Sequence, residues 1–278
     1  MNITAAQVNE LRNLTGAGLM DCKKALTEAG GDIQKAIDFL RKKGAKVAEL
    51  RAGRAAGEGV VIAKTSDDNK KGVVVYLSCE TDFVAKNEEF VKLANAIADA
   101  ALAAGSKSTE DVLALTVNGT TVKDAVQEKV SAIGELINVS AYESIEGEGV
   151  VAYNHMGNKI GVLVSVNKPL NDKVTAVAKD VAMQIAAMNP IAVDANGVGP
   201  EVLEREKAVA REKAAAAGKP ANILDKIAEG AANTYVKENT LLTQAFVKDG
   251  SQTVQQVLGA AESGLTVTAF KRVERGTK

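Results

Sequence analysis

An internal repeat limits what this sequence can fold into. The pentapeptide GEGVV at residues 57–61 returns unchanged at residues 147–151, an offset of 90 residues (147 − 57 = 90). The tetrapeptide GVVV at residues 72–75 is answered by GVLV at residues 161–164, an offset of 89 (161 − 72 = 89). Each apolar run leads into a long segment rich in Ala, Val and Ile. The repeat therefore predicts a duplicated unit made of a β-hairpin and a helix.

The two copies differ after the second predicted strand. The first copy continues as CETDFV at residues 79–84, whereas the second has only NKPL at residues 167–170. Asp82 and Phe83 thus place a carboxylate beside an aromatic ring in a strand-to-helix turn, a common position for binding residues. Two interpretations stay open from the residues alone. Phe83 either packs beneath its own helix or forms an exposed anchor of the kind found at interface hot spots.

The composition argues against several classes of partner. The net charge is −1, aromatic residues make up 3% of the chain and Trp is absent, whereas nucleic-acid binders favour a basic face or stacking rings. No apolar run approaches the roughly 20 residues that span a bilayer, and the first residues lack a signal-peptide pattern. Two cysteines give no disulfide framework. We expect a cytoplasmic protein with no membrane or direct nucleic-acid partner.

The residues that could carry chemistry do not form a catalytic set. His155 is the only histidine, so it cannot build a metal cluster by itself, and a contact role and a neutral role remain open for it. Cys79 lacks a second histidine as a base and is a poor candidate nucleophile. The GAG loop at residues 16–18 favours a structural turn or docking loop over a phosphate site, because no GxxxxGK[ST] motif occurs. We therefore expect no enzyme activity, cofactor or metal.

Helical and strand periodicities predict an α+β fold with antiparallel sheets. Residues 1–56 are predicted to form a three-helix module, with Gly44 ending the third helix and a linking helix after it. The remaining predicted divisions are a first core repeat at 57–146, a second core repeat at 147–200, a helical hairpin insertion at 201–237 and a C-terminal module at 238–278. A last strand at residues 267–270 is predicted to complete the sheet of one repeat.

Two motifs carry a family resemblance. TGAGLMDCKKAL at residues 15–26 and TDFVAK at residues 81–86 resemble the two signatures of elongation factor Ts, the guanine-nucleotide exchange factor of bacterial translation. The resemblance extends over essentially the whole chain. It implies an N-terminal module similar to ubiquitin-associated domains, a duplicated α+β core, an inserted coiled-coil hairpin and a C-terminal helical module. The chain departs from the family after Glu135, where a pair of arginines is usual.

The resemblance also implies a function. The protein would bind elongation factor Tu carrying GDP, disturb its magnesium and phosphate site, and stabilise nucleotide-free Tu until GTP binds, without a nucleotide site of its own. An alternative is a ubiquitin-associated-like interaction module without exchange activity. The residues implied in Tu binding or exchange are Thr81, Asp82, Phe83, Val84, Met20, Lys23, Ile133 and His155. Within this set, Phe83 would act as a wedge, and Met20 and Lys23 would dock the N-terminal module.

Overall fold

A computed structural model describes residues 3–51 and 53–276. The N-terminal module consists of α1 (Ala5–Thr15), α2 (Leu19–Glu28) and α3 (Ile33–Arg51). Thr4 and Gln7 close a reciprocal capping box that starts α1. Leu11, Cys22 and Leu26 are fully buried between the three helices. The module is held together by a small apolar core of its own.

The predicted end of the third helix is wrong. α3 continues through Gly44 to Arg51, and residue 52, within the predicted linking helix, lies outside the described residues. Gly44 serves as a packing position, because a Cβ there would lie 2.5 Å from the carbonyl oxygen of Gln127 and 3.0 Å from the Cβ of Ser131. Only a glycine lets α3 approach the core this closely. The helix therefore joins the module to the core instead of ending before it.

Two three-stranded antiparallel sheets form the core, and this confirms the α+β class. The first sheet has the order β1-β2-β5, with β1 (Glu58–Thr65), β2 (Lys71–Cys79) and β5 (Asn138–Glu146). The second has the order β6-β7-β10, with β6 (Gly149–His155), β7 (Ile160–Val166) and β10 (Val267–Glu274). The predicted last strand is confirmed as β10, which pairs with β7. The sequence patterns did not predict β5.

The duplication extends beyond a hairpin and one helix. After its hairpin the first copy contains α4 (Asp82–Ala85), α5 (Glu88–Ala104), α6 (Thr109–Ala114), β3 (Thr116–Val117), β4 (Thr120–Thr121) and α7 (Val122–Ile133). The second contains α8 (Asp172–Met188), α9 (Pro200–Ala216), α10 (Ala221–Asn239), β8 (Ala245–Phe246), β9 (Asp249–Thr253) and α11 (Val254–Ala261). Each copy thus runs hairpin, long helix, small hairpin, shorter helix and third strand. Helices α9 and α10 form a hairpin inserted into the second copy, joined by ion pairs such as Lys207–Glu229.

The identical pentapeptides do not occupy equivalent positions. Val61 pairs with Tyr76 in the first sheet, and the equivalent pair in the second is Val150 with Ser165, so the structural offset is 89 residues (150 − 61 = 165 − 76 = 89). Val61 and Val150 both point between the sheets. A pentapeptide match at an offset of 90 is therefore out of register by one residue, which reverses the face of every side chain.

The two sheets pack face to face, with helices on their outer faces. A cluster that includes Val61, Val74, Val150 and Leu163 fills the space between them. Helices α5 and α7 cover the first sheet, while α8 and α11 cover the second. This stack exposes the loops at its ends, and one of those ends carries the turn that contains Phe83.

Candidate functional site

Phe83 lies on an exposed single turn of helix. Strand β2 ends at Cys79, Thr81 forms the N-cap of the four-residue helix α4, and Asn87 caps α5 immediately afterwards. Ala85 is buried and Val84 packs partly against the core, whereas Phe83 is 83% exposed. The interpretation of Phe83 as core is therefore wrong. The ring is exposed, as an anchor requires, and its role as an anchor stays a prediction.

The carboxylate of Glu135 holds the start of this turn. Its Oε2 accepts hydrogen bonds from the backbone N–H groups of Glu80 (3.2 Å) and Thr81 (3.1 Å). Its Oε1 accepts a bond of 2.7 Å from the hydroxyl of Thr81. Hydrogen bonds to a charged acceptor are stronger than those between neutral groups. One side chain beyond the end of α7 thus fixes the residue that caps α4.

Glu80 returns the interaction and connects it to the N-terminal module. Its Oε1 accepts a bond of 2.7 Å from the backbone N–H of Leu136, and its carboxylate pairs with Arg51 and Arg54. Burial acts to raise the pKa of Glu80, but the hydrogen bonds from Leu136, Arg51 and Arg54 outweigh it and hold the pKa below its ordinary value. The carboxylate is therefore charged at neutral pH, with its side chain only 11% exposed.

The pKa values of two groups at the turn are shifted from their ordinary values. Asp82 forms an ion pair of 2.6 Å with Lys86, and the hydrogen bond from Lys86 lowers the pKa of the Asp82 carboxyl. Burial raises the pKa of the Cys79 thiol to about 12, and its Sγ lies 3.1 Å from the carbonyl oxygen of Thr81. A protonated buried thiol is a poor nucleophile. The turn thus presents an apolar ring and a carboxylate, with no reactive sulfur beside them.

Ile133 and His155 lie at the same end of the stack as Phe83. Ile133 is 37% exposed and ends α7 two residues before Glu135, which binds Thr81. His155 lies in the β6–β7 hairpin, where its Nδ1 is 2.9 Å from the hydroxyl of Tyr153. Consecutive contacts connect the end of β2 to this hairpin. Cys79 pairs with Glu58 across the strands, and Glu58 forms an ion pair with Arg275. The backbone N–H of Arg275 donates to the carbonyl of Lys159, whose own N–H donates to the carbonyl of His155.

Met20 and Lys23 lie on the N-terminal module. Met20 is 73% exposed on α2 beside Leu19, which is 51% exposed. Lys23 is also exposed, one turn further along the same helix. The GAG loop begins with Gly16 in the left-handed region and leads directly into α2, in agreement with a structural turn. The structure therefore divides the predicted residues into two surfaces, one on the module and one on the core.

Sequence reasoning missed Glu135 and Arg51. Glu135 lies 54 residues from Thr81 along the chain, and Arg51 lies 29 residues from Glu80. Both are charged residues that local patterns assign to a solvated surface. No periodic or motif signal could have revealed them, because their partners are brought near only when α3 packs on α7 and α7 packs on the first sheet.

Residues 3–51 and 53–276 contain no group of three or more His, Cys, Asp or Glu side chains arranged to hold a metal ion. Within the same ranges, every helix is too short or too polar to cross a bilayer.

Comparisons with known proteins identify the family. The family model described as Elongation factor TS matches residues 80–277. Elongation factor Ts of Amoebophilus asiaticus is 51% identical over 273 residues, which covers 98% of this chain and 99% of that protein. The protein of the same name from Christiangramia forsetii is 47% identical over 274 residues, with 99% of both chains covered. That from Clostridium perfringens is 45% identical over 282 residues, covering 99% of this chain and 93% of its own length.

The chain belongs to the elongation factor Ts family. The family model begins at Glu80, so it covers the turn of Phe83, strand β5, the whole second sheet and the helical hairpin. The relatives extend the match across the N-terminal module that carries Met20. The match to this family of translation elongation factors thus includes both the surface with Phe83 and the surface with Met20.

Proposed function

We propose that this protein is a guanine-nucleotide exchange factor that binds elongation factor Tu and accelerates the release of GDP. The observation that carries the proposal is the 83% exposure of Phe83 on a turn fixed by Glu135. A large ring held out into water on a rigid support fits an interface anchor. Family membership supplies the class of partner.

The physical basis of exchange is linkage between two ligands of Tu. A protein that binds nucleotide-free Tu more tightly than it binds the GDP complex must weaken GDP binding by the same factor. In GTPases, Mg²⁺ and phosphate contacts hold the switch regions in order. In the proposed mechanism the ring of Phe83 wedges beside this magnesium site, and the ionised carboxylate of Asp82 competes for polar groups near it. The Mg²⁺ and GDP belong to Tu, and this chain supplies no nucleotide site.

The remaining predicted residues are proposed to enlarge the contact. Met20 and Lys23 would dock the N-terminal module on the nucleotide-binding domain of Tu, and their exposure supports this role. Thr81 and Val84 would support the wedge from either side, since Thr81 caps α4 and Val84 packs on the core. Ile133 and His155 would contact Tu from the same end of the stack. Exchange of this kind belongs in the cytoplasm, where translation occurs.

Stopped-flow release of labelled GDP from the cognate Tu tests the proposal. The protein should accelerate release at amounts far below those of Tu, because an exchange factor is regenerated when GTP binds. It should bind no GDP by itself and hydrolyse no GTP. Tight GDP binding by the isolated chain, or a release rate unaffected by it, would contradict the function.

The alternative is a ubiquitin-associated-like interaction module without exchange activity. It is suggested by the three-helix start of the chain, whose core includes Leu11 and Leu26. Capture on immobilised ubiquitin distinguishes the two functions. The exchange-factor proposal expects no retention on ubiquitin together with full activity towards Tu, whereas the alternative expects retention without accelerated release.

A further inference from the structure

We propose that Glu135 is a positioning residue for exchange: its carboxylate fixes the turn that presents Phe83, and so sets the maximal rate of GDP release. This inference rests on the proposed function. It assigns to Glu135 an indirect role, in which the carboxylate acts on exchange through the position of Phe83.

Helix α4 is too short to be stable by itself. A helix of four residues cannot repay the cost of its own nucleation, so tertiary contacts must hold it. Phe83 is 83% exposed and therefore contributes few of these tertiary contacts. The orientation of its ring is therefore decided by the backbone of the turn and not by contacts of the ring.

Contacts at both ends of α4 hold that backbone. Ala85 and Val84 pack against the core at the end of α4. At its start, the Thr81 Oγ1 lies 3.5 Å from the N–H of Val84, a long capping bond, while the three bonds to Glu135 are 2.7, 3.1 and 3.2 Å. The carboxylate of Glu135 is thus the stronger constraint on the N-terminal end of the turn.

Glu135 itself is well anchored. It follows Gly134, which ends α7 in the left-handed region at φ 80°, and precedes Leu136, whose N–H binds Glu80. The two segments therefore exchange hydrogen bonds in both directions. The turn is therefore ordered before Tu binds, and this reduces the conformational entropy lost on binding, which is the general advantage of preorganisation.

The chain offers a matched control in the same repeat. Oδ2 of Asp111 accepts two backbone bonds of 3.0 Å, from the N–H groups of Lys107 and Ser108, at the start of α6. This arrangement resembles that of Glu135 but supports a different helix. Asp111→Ala should therefore cost comparable local stability and leave the maximal exchange rate unchanged.

The test is a double-mutant cycle on the full-length protein. The maximal rate of labelled GDP release from Tu is measured at saturating concentrations of wild type, Glu135→Ala, Phe83→Ala and the double variant, with melts to confirm folding. We expect Glu135→Ala to lower the maximal rate roughly threefold to tenfold, the scale of ordering one interface segment. The double variant should match Phe83→Ala, because Glu135 acts through the ring.

The Phe83→Ala arm separates failure of this inference from failure of the proposed function. If Phe83→Ala lowers the maximal rate but Glu135→Ala does not, or if the two effects multiply in the double variant, the positioning role is wrong and the wedge stands. If Phe83→Ala has no effect, the wedge itself fails, and the role of Glu135 fails with it. Glu135→Gln, which keeps an acceptor oxygen for Thr81, should recover part of the lost rate. Hydrogen exchange at residues 80–86 supplies a readout without Tu, and unchanged protection in Glu135→Ala would overturn the inference if that variant is folded.

Discussion

Arg51 binds both carboxylate oxygens of Glu80 through its Nη1, at 2.7 and 2.9 Å. Arg51 is the last residue of α3, and Glu80 directly precedes the residue that caps the Phe83 turn. A single ion pair therefore connects the helix of the N-terminal module to the turn at the end of the first sheet. Both side chains are largely withdrawn from water, with exposures of 29% and 11%.

Replacing Arg51 by Ala should destabilise the protein by about 1–2 kcal/mol, because Glu80 then loses a charge-assisted partner in a poorly hydrated position. The control is Arg54→Ala, which removes the other arginine of the same carboxylate. Arg54 is 60% exposed and forms one bond of 3.2 Å, so its loss should cost about 0.5 kcal/mol or less. Urea unfolding of both variants measures the difference, and equal losses would show that the two arginines are equivalent.

Glu80 should also contribute to the loss of stability in acid. Its folded-state pKa lies below the ordinary glutamate value of about 4.3, because the bonds from Leu136, Arg51 and Arg54 outweigh burial. Its stabilising contribution is therefore complete above pH 4.3 and disappears as the pH falls through the lower folded-state pKa. Unfolding free energies of wild type and Glu80→Gln should differ most at pH 6 and converge towards pH 3. A gap independent of pH would contradict the direction of the shift.

The packing between the sheets predicts the effect of filling a glycine. A Cβ at Gly161 would lie 2.7 Å from Cγ2 of Val74 and 2.8 Å from Cγ1 of Val61, so Gly161→Ala should cost about 1–3 kcal/mol by overpacking. Gly230 is exposed within α10, and beyond its chain neighbours and the adjacent backbone of its own helix no atom lies within 4 Å of such a Cβ. Gly230→Ala should instead stabilise the helix by about 0.5–1 kcal/mol. Thermal melts that moved both variants in the same direction would contradict the described sheet packing.

Local sequence signals predicted the features that depend on neighbouring residues. The predicted helix after each hairpin is present, and Asn87 and Asn171 cap these two helices through contacts that reach only two or three residues along the chain. The identical pentapeptides suggested an offset of 90 residues between the two copies, one residue more than the strand pairing shows. Identical residues in two strands do not show which face of the sheet each side chain occupies. The pairing of Val150 with Ser165 shows which residues of the two copies are equivalent.

The features that sequence reasoning missed depend on long-range packing. Glycine is a residue that commonly ends helices, but Gly44 lies within α3, where its lack of a side chain allows the helix to pack closely against the backbone of Gln127. Glu135 meets Thr81 only after α7 has packed on the first sheet. For Phe83, the same residues in the same turn were compatible with a buried or an exposed ring, and only the positions of Val84 and Ala85 decide between them.

Met20 and Lys23 should affect association with Tu and not the exchange step. Both are exposed on α2, on a module distinct from the Phe83 turn. Met20→Ala and Lys23→Ala should raise the concentration that gives half-maximal GDP release and leave the maximal rate near that of wild type. Met188→Ala is the control, since Met188 is 50% exposed at the end of α8 in the second repeat. A severely reduced maximal rate at saturating Met20→Ala would refute a docking role.

The chain also supplies the control that separates a wedge from a core residue. Phe90 lies on α5, close to Phe83 in sequence but fully buried. Phe90→Ala should destabilise the protein by about 3–5 kcal/mol through the cavity it creates. The free energy of unfolding of Phe83→Ala should lie within about 0.5 kcal/mol of the wild-type value, as is general for surface substitutions.

The maximal rate of GDP release from Tu at saturating Phe83→Ala protein is the decisive measurement. A wedge that acts only in the exchange step predicts a strongly reduced maximal rate in a protein whose unfolding is unchanged. A maximal rate equal to that of wild type, measured on the folded variant, would contradict the role of Phe83 in exchange.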